Sequence, residues 1–165
     1  MKIIDASQVL NWLSQRNLLS CSNRILIPDY PFSYSFKITT DSGVKTKISG
    51  AISALFIDNH GESLLWIDEY GIWPSCEDDN LFNGFRKSIG EIEPVYIKPG
   101  HLFRAEDMAN IQSILALVLY FVQGAVVVTD SGDIVVRISH DEFIDIYSKN
   151  DIDISWIKNL CDDPD

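Results

Sequence analysis

The chain has 165 residues, 46% of them hydrophobic, and a formal net charge of −11, a length that suits a single domain, 1–165, with one sizeable core. Nucleic acid is excluded as a natural partner, because binding it requires Lys and Arg to neutralise phosphates; the charge favours a basic protein instead. The longest apolar run, Ile114–Val122, falls short of the ~20 residues of a membrane-spanning helix, and Met1-Lys2-Ile3-Ile4-Asp5 lacks the apolar stretch of a signal peptide, so a cytoplasmic protein with no membrane partner is expected.

The charge is uneven: residues 1–50 carry +3, whereas 51–90, 91–140 and 141–165 carry −5, −3 and −6. The acidic tail covers about 149–165. Cys21, Cys76 and Cys161 form no Cys-x-x-Cys pair, so neither a zinc site nor a redox dithiol is indicated.

In chain order, Asp5 as N-cap with Gln8 three residues on predicts a first helix from Ala6 to about Gln15, striped by Val9, Leu10, Trp12 and Leu13. Pro28 and Pro31 make residues 20–32 a loop. Tyr34–Thr40 alternates apolar and polar side chains and predicts a half-buried strand. Val44, Ile48, Ile52, Ala54 and Phe56 extend a period of two to Ile57, with Gly50 as a bulge. Asp58-Asn59-His60-Gly61 is a turn and Ser63–Asp68 a third strand, so the three are expected to form an antiparallel meander.

Ser75 is expected to cap a helix over Cys76–Ser88, with Glu77, Asp78 and Asp79 in its first turn, Arg86 and Lys87 in its last, both suiting the helix dipole, and Gly90 as its stop. Pro94–Lys98 is a candidate short strand followed by a Pro99-Gly100 turn. Ala105–Val122 predicts a long helix, apolar almost all round and therefore buried, ended by Gly124. Ala125–Thr129 and Ile134–Ile138 predict a second hairpin. Ser139-His140-Asp141-Glu142 has the spacing of a capping box for a helix carrying Phe143, Ile144, Ile146 and Tyr147, and Trp156, Ile157 and Leu160 suggest a short terminal helix. The fold class expected is α+β: a mainly antiparallel sheet from two strand groups, with helices packed on it and one of them long and buried.

No catalytic, cofactor or metal motif is present. His60 lies in a turn without spaced metal ligands. Gly-x-Ser-x-Gly and the phosphate-binding glycine patterns are absent. A small hydrolase built on a carboxylate with His101 or His140 is the alternative enzyme reading. What stands out is Leu64–Phe82, where aromatics adjoin carboxylates. Trp66, inside an apolar strand, reads as core. Asp68, Glu69, Trp73, Glu77, Asp78 and Asp79 are the candidate partner-binding residues, because an aromatic with an acidic rim suits a protein-binding hot spot.

The string LLWIDEYGIWPSCEDDNLFNGFRKSIGE (Leu64–Glu91), with PGHLF at Pro99–Phe103, Glu106-Asp107, and ISHDEF at Ile138–Phe143, resembles the immunity proteins of bacterial polymorphic toxin systems. Trp66, Glu69, Tyr70, Gly71, Ile72, Trp73, Pro74 and Ser75 carry the likeness. The resemblance implies a non-enzymatic protein that binds and neutralises a cognate toxin, plausibly a basic nuclease. An interaction module of phage or housekeeping origin is the other non-enzymatic reading.

Overall fold

The computed structural model describes residues 1–20, 24–27, 29–56, 61–70, 76–151, 155 and 157–158, the side chains of 76–79 excepted. Seven strands form one sheet: β1 (Lys2–Ile4), β2 (Phe32–Lys37), β3 (Ser63–Glu69), β4 (Gly100–Phe103), β5 (Gly124–Val128), β6 (Ile134–Ser139) and β7 (Phe143–Ser148). Their order is β1-β4-β3-β5-β6-β7-β2, and every neighbouring pair is antiparallel. Among the described residues four α-helices of defined extent accompany it: α1 (Ala6–Gln15), α2 (Ser42–Ala54), α3 (Cys76–Ser88) and α4 (Met108–Phe121), the last preceded by a 3-10 turn at Ala105–Asp107. The class is α+β, as the residue patterns predict. Among the described residues no helix is long and apolar enough to cross a membrane.

Helix α1 has the expected bounds and cap. Gln8 N–H donates to the Asp5 carboxylate at 2.9 Å, and Asp5 N–H donates back to the Gln8 side chain at 3.0 Å. Helix α3 also has its expected bounds. Gly90, at φ +92°, ends it, with Gly90 N–H donating to Lys87 O and Glu91 N–H to Arg86 O, the paired bonds of a Schellman motif. The proposed Ser75 cap lies outside the described residues, as do most of the Asp58–Gly61 turn and the Trp156 and Leu160 positions of the terminal helix.

Several expectations are overturned. The second strand is helix α2. Its apolar residues Val44, Ile48 and Ile52 are four apart, a spacing that serves either period; Ala51, also buried, completes the helical stripe. Asp41 caps it by accepting from Val44 N–H at 2.9 Å. Gly50 is no bulge but the place where α2 approaches α4, since a Cβ there would lie 3.2 Å from the Gln112 amide. The meander therefore does not exist: β2 pairs with β7 at one edge, while β3 lies between β4 and β5.

Pro94–Lys98 is turn rather than strand, and Gly100 opens β4 instead of closing a turn. The helix after Ser139 is strand β7. Ser139 Oγ accepts from Asp141 N–H, a local Ser turn, and Glu142 N–H returns to Ser139 O with Glu142 at φ +67°. Ile144 and Ile146 are fully buried between less buried neighbours, a period of two. The long helix lies where expected: a 3-10 turn at Ala105–Asp107 leads into α4, and Val122, in the left-handed conformation at φ 52°, caps its end.

The sheet separates two cores. On one face Leu65, Ile67, Val127, Val136, Ile144 and Ile146 pack under α2, α3 and α4, whose Ile52, Phe82, Ile114, Leu115 and Val118 are fully buried or nearly so. Each such aliphatic side chain contributes about 1.5–3 kcal/mol of transfer free energy. On the other face Leu64, Leu102, Val126, Val128 and Val135 pack under Val9, Trp12 and Leu13 of α1.

Candidate protein-binding surface

Strand β3 ends at the candidate pair Asp68 and Glu69. Its register with β5 shifts between Trp66, opposite Val126, and Glu69, opposite Gly124. This irregularity lays the Glu69 side chain over Gly124: a Cβ on Gly124 would stand 2.5 Å from Glu69 Cβ and 2.6 Å from Glu69 Oε2. With no side chain in the way, Glu69 crosses β5 and its Oε2 meets His140 Nδ1 at 2.6 Å. His140 sits in the β6–β7 turn, where its Nε2 is also 3.5 Å from Asp141 Oδ1. The bond from Glu69 raises the His140 pKa above its ordinary value, and the two carboxylate charges add to it.

Asp68 is solvent-exposed, yet protein atoms crowded around its carboxyl, and then the Glu69 charge, push its pKa up to about 6 against the pull of Arg137 and Arg24. Water screens charges at such a site, so the direction matters more than the size. Arg137 on β6 lies opposite Asp145 on β7 in register. Beyond them Lys37 Nζ is 3.2 Å from Glu142 Oε2, and Tyr147 stacks obliquely on Tyr30 at 5.9 Å. Trp66 is half-buried and packs on the α1-side core, as expected.

Two of the expected partner-binding residues, Asp68 and Glu69, thus lie beside His140, Asp141 and Arg137, residues that no local sequence signal links to them. Of the other candidates, Trp73 lies outside the described residues, as do the side chains of Glu77, Asp78 and Asp79, whose backbone forms the start of α3. The helical reading of Ser139–Glu142 hid the partnership of His140 with Glu69.

The two described histidines are poorly suited to hydrolysis. His140 has a carboxylate at each ring nitrogen and a raised pKa, which favours the protonated form over a general base. His101 is fully buried on β4, and among the described residues neither ring nitrogen has a partner within hydrogen-bonding geometry. Burial, then the Arg86 charge, depresses its pKa to about 3, the backbone at Leu65 and Pro99 opposing only in part. Among the described residues no group of three His, Cys, Asp or Glu is arranged to hold a metal.

Arg86, in the last turn of α3 as expected, is fully buried. Its Nη2 donates to Lys98 O at 2.8 Å, tying the 91–99 segment to α3, while Nε and Nη1 have no hydrogen-bond partner among the described residues. Burial lowers its pKa, offset by Glu91. No feature of the sequence distinguishes this arginine from Lys87 beside it.

Compared with family models, curated proteins and solved structures, the chain matches none.

Proposed function

We propose that this protein is a cytoplasmic, non-enzymatic partner of a basic protein, of the immunity type: it binds a cognate toxin domain, plausibly a nuclease, and covers the surface that would engage nucleic acid. The observation that carries the reading is the convergence of Asp68 and Glu69 with Asp141 at one end of the sheet. The raised pKa of Asp68 means that its negative charge is held there at a cost to the free protein. Such a cost is relieved when a cationic partner arrives, and charge of this kind speeds encounter and rejects like-charged competitors. The resemblance around Leu64–Glu91 motivates a toxin as the partner; the acidic end supports a basic one.

The test is co-expression with the product of the adjacent gene. A complex that forms at low salt, weakens as salt rises, and is weakened at least tenfold by Asp68→Asn with Glu69→Gln supports the proposal. A non-toxic neighbour that binds would make the chain an interaction module of another kind. No complex with either neighbour, or one indifferent to both substitutions, overturns the acidic-surface reading.

A further inference from the structure

On the helical side, a groove of about 700 Å³ lies between α2 and α3 and is floored by α4. Helix α4 presents residues 113, 116, 117 and 120 to it, the stripe beside Ile111, Ile114, Leu115 and Val118, which face the core. This is why α4 is apolar beyond a single face. Leu81 and Tyr120 stand at the groove as exposed large hydrophobic residues.

Two observations say what the groove is for. The first is Gly84, inside α3 and lining the groove. A Cβ added there meets nothing within 4 Å, and its φ is not positive. Neither packing nor backbone geometry requires a glycine, which weakens a helix interior relative to alanine. Its missing side chain leaves the groove open. The second is charge. Among the described side chains that line the groove, Lys45 is the one that carries a charge. Lys45 reaches from α2 toward α4, its Nζ 5.7 Å from the Tyr120 ring centroid, and makes no ion pair among the described residues.

We propose that this groove binds a single-chain amphiphile, an unbranched acyl chain lying over Ala116 and Leu117 with its carboxylate at Lys45. Its volume is that of a small-molecule site, mostly apolar with few polar groups to fix orientation. A partner helix, about 10–12 Å across with its side chains, would use up this space in about one to two turns. Neither Asp68 nor Glu69, the carboxylates on which the proposed toxin contact rests, lines the groove.

Calorimetric titration with octanoate, decanoate and dodecanoate below their micelle concentrations, and with decanol, tests it on the full chain. Saturable one-site binding is expected, tightening by up to about fourfold per added methylene until the groove is full. Lys45→Glu should weaken decanoate at least tenfold and leave decanol unchanged. Gly84→Leu should abolish binding of both while leaving the melting temperature at or above that of the parent chain. Absence of binding by every probe overturns the proposal, as does full affinity in Gly84→Leu or an unchanged preference for carboxylate in Lys45→Glu. Self-association blocked by Gly84→Leu, with no acyl binding, would assign the groove to a second copy and equally overturn it.

Discussion

The two faces of the sheet are built from alternate residues of the same strands, and they are covered to different extents. Under α2, α3 and α4 the face is buried, and apart from His101 and Ser63 mostly apolar, from Phe103 on β4 to Ile146 on β7. The opposite face begins the same way under α1, with Leu64, Val126 and Val135, and then gives way to Arg137, Asp145 and Tyr147 beside the exposed Ser33, Ser35 and Lys37 of β2. Geometry accounts for the difference. A helix about 10–12 Å across covers two or three strands spaced ~4.8 Å apart, so among the described residues α1, with Leu18, Leu19, Ile25 and Tyr30 beside it, leaves part of that face exposed. On the covered face, burial dictates the residue type. On the open face it does not, and charges there are free to serve recognition.

The two faces should respond very differently to the loss of a side chain. Leu115→Ala, in the fully buried stripe of α4, should lower the unfolding free energy by about 2–5 kcal/mol, the range for cavities left by buried leucines. Lys37→Ala removes an exposed ion pair to Glu142 and should cost less than about 1 kcal/mol. Urea melts of the two variants decide it: similar midpoints would mean that the open face stabilises the fold as much as the covered one.

Two glycines sharpen it further. A Cβ at Gly100 would lie 2.3 Å from Val9 Cγ2 and 2.7 Å from Ile4 Cγ1. Gly100→Ala should therefore cost about 1–3 kcal/mol as an overpacked joint between α1, β1 and β4. At Gly124 the obstructed atom is Glu69 Cβ at 2.5 Å, bonded directly to the β3 backbone and unable to swing away. Gly124→Ala should cost a similar amount and also part Glu69 from His140, which NMR titration would register as a fall in the His140 pKa. A stable Gly124→Ala variant with His140 unchanged would show that the crossing does not depend on the missing side chain.

Elements with unambiguous end signals were legible in the chain. The Asp5/Gln8 box, the Gly90 stop and the Ala125–Ile138 hairpin lie where their residues put them. The misreadings share physical causes. Apolar residues four apart in α2 fit periods of both two and 3.6, and only α4 on the other side decides between them. Ser-x-x-Glu at Ser139 has the spacing of a capping box but closes a hairpin, because β6 and β2 are there to pair with Phe143–Ser148. Strands β1 and β4 span only three and four residues, too short to show a period. Of the candidate site, Asp68 and Glu69 were legible as carboxylates beside aromatics; their junction with His140 across Gly124 depends on a register no local signal encodes.

Acidity separates the faces in a subtler way. The Glu69 bond raises the His140 pKa above its ordinary 6.5, so the folded form holds that proton more tightly than the unfolded chain. The stability this contributes is fully present below about pH 6.5 and is lost as pH rises through the raised value. Glu69→Gln should bring the His140 titration down toward 6.5 and remove that slope. If the titration stays where it was, Asp141 rather than Glu69 holds the proton.

The smallest effect is expected at Asp68, and its sign is the informative part. Its pKa rises from 3.8 to about 6, so folding favours the neutral carboxyl, and the ionised form becomes a growing cost as pH climbs from about 4 to 6. Asp68→Asn is neutral throughout. It should match the parent chain below pH 4 and exceed it at pH 7, by less than about 1 kcal/mol because the residue is exposed and its charge screened. Thermal melts at the two pH values measure this directly. A gain in stability at pH 7 accompanied by weaker partner binding is the signature of a charge retained for recognition, whereas a gain with binding intact would leave the carboxylate without a role in the contact.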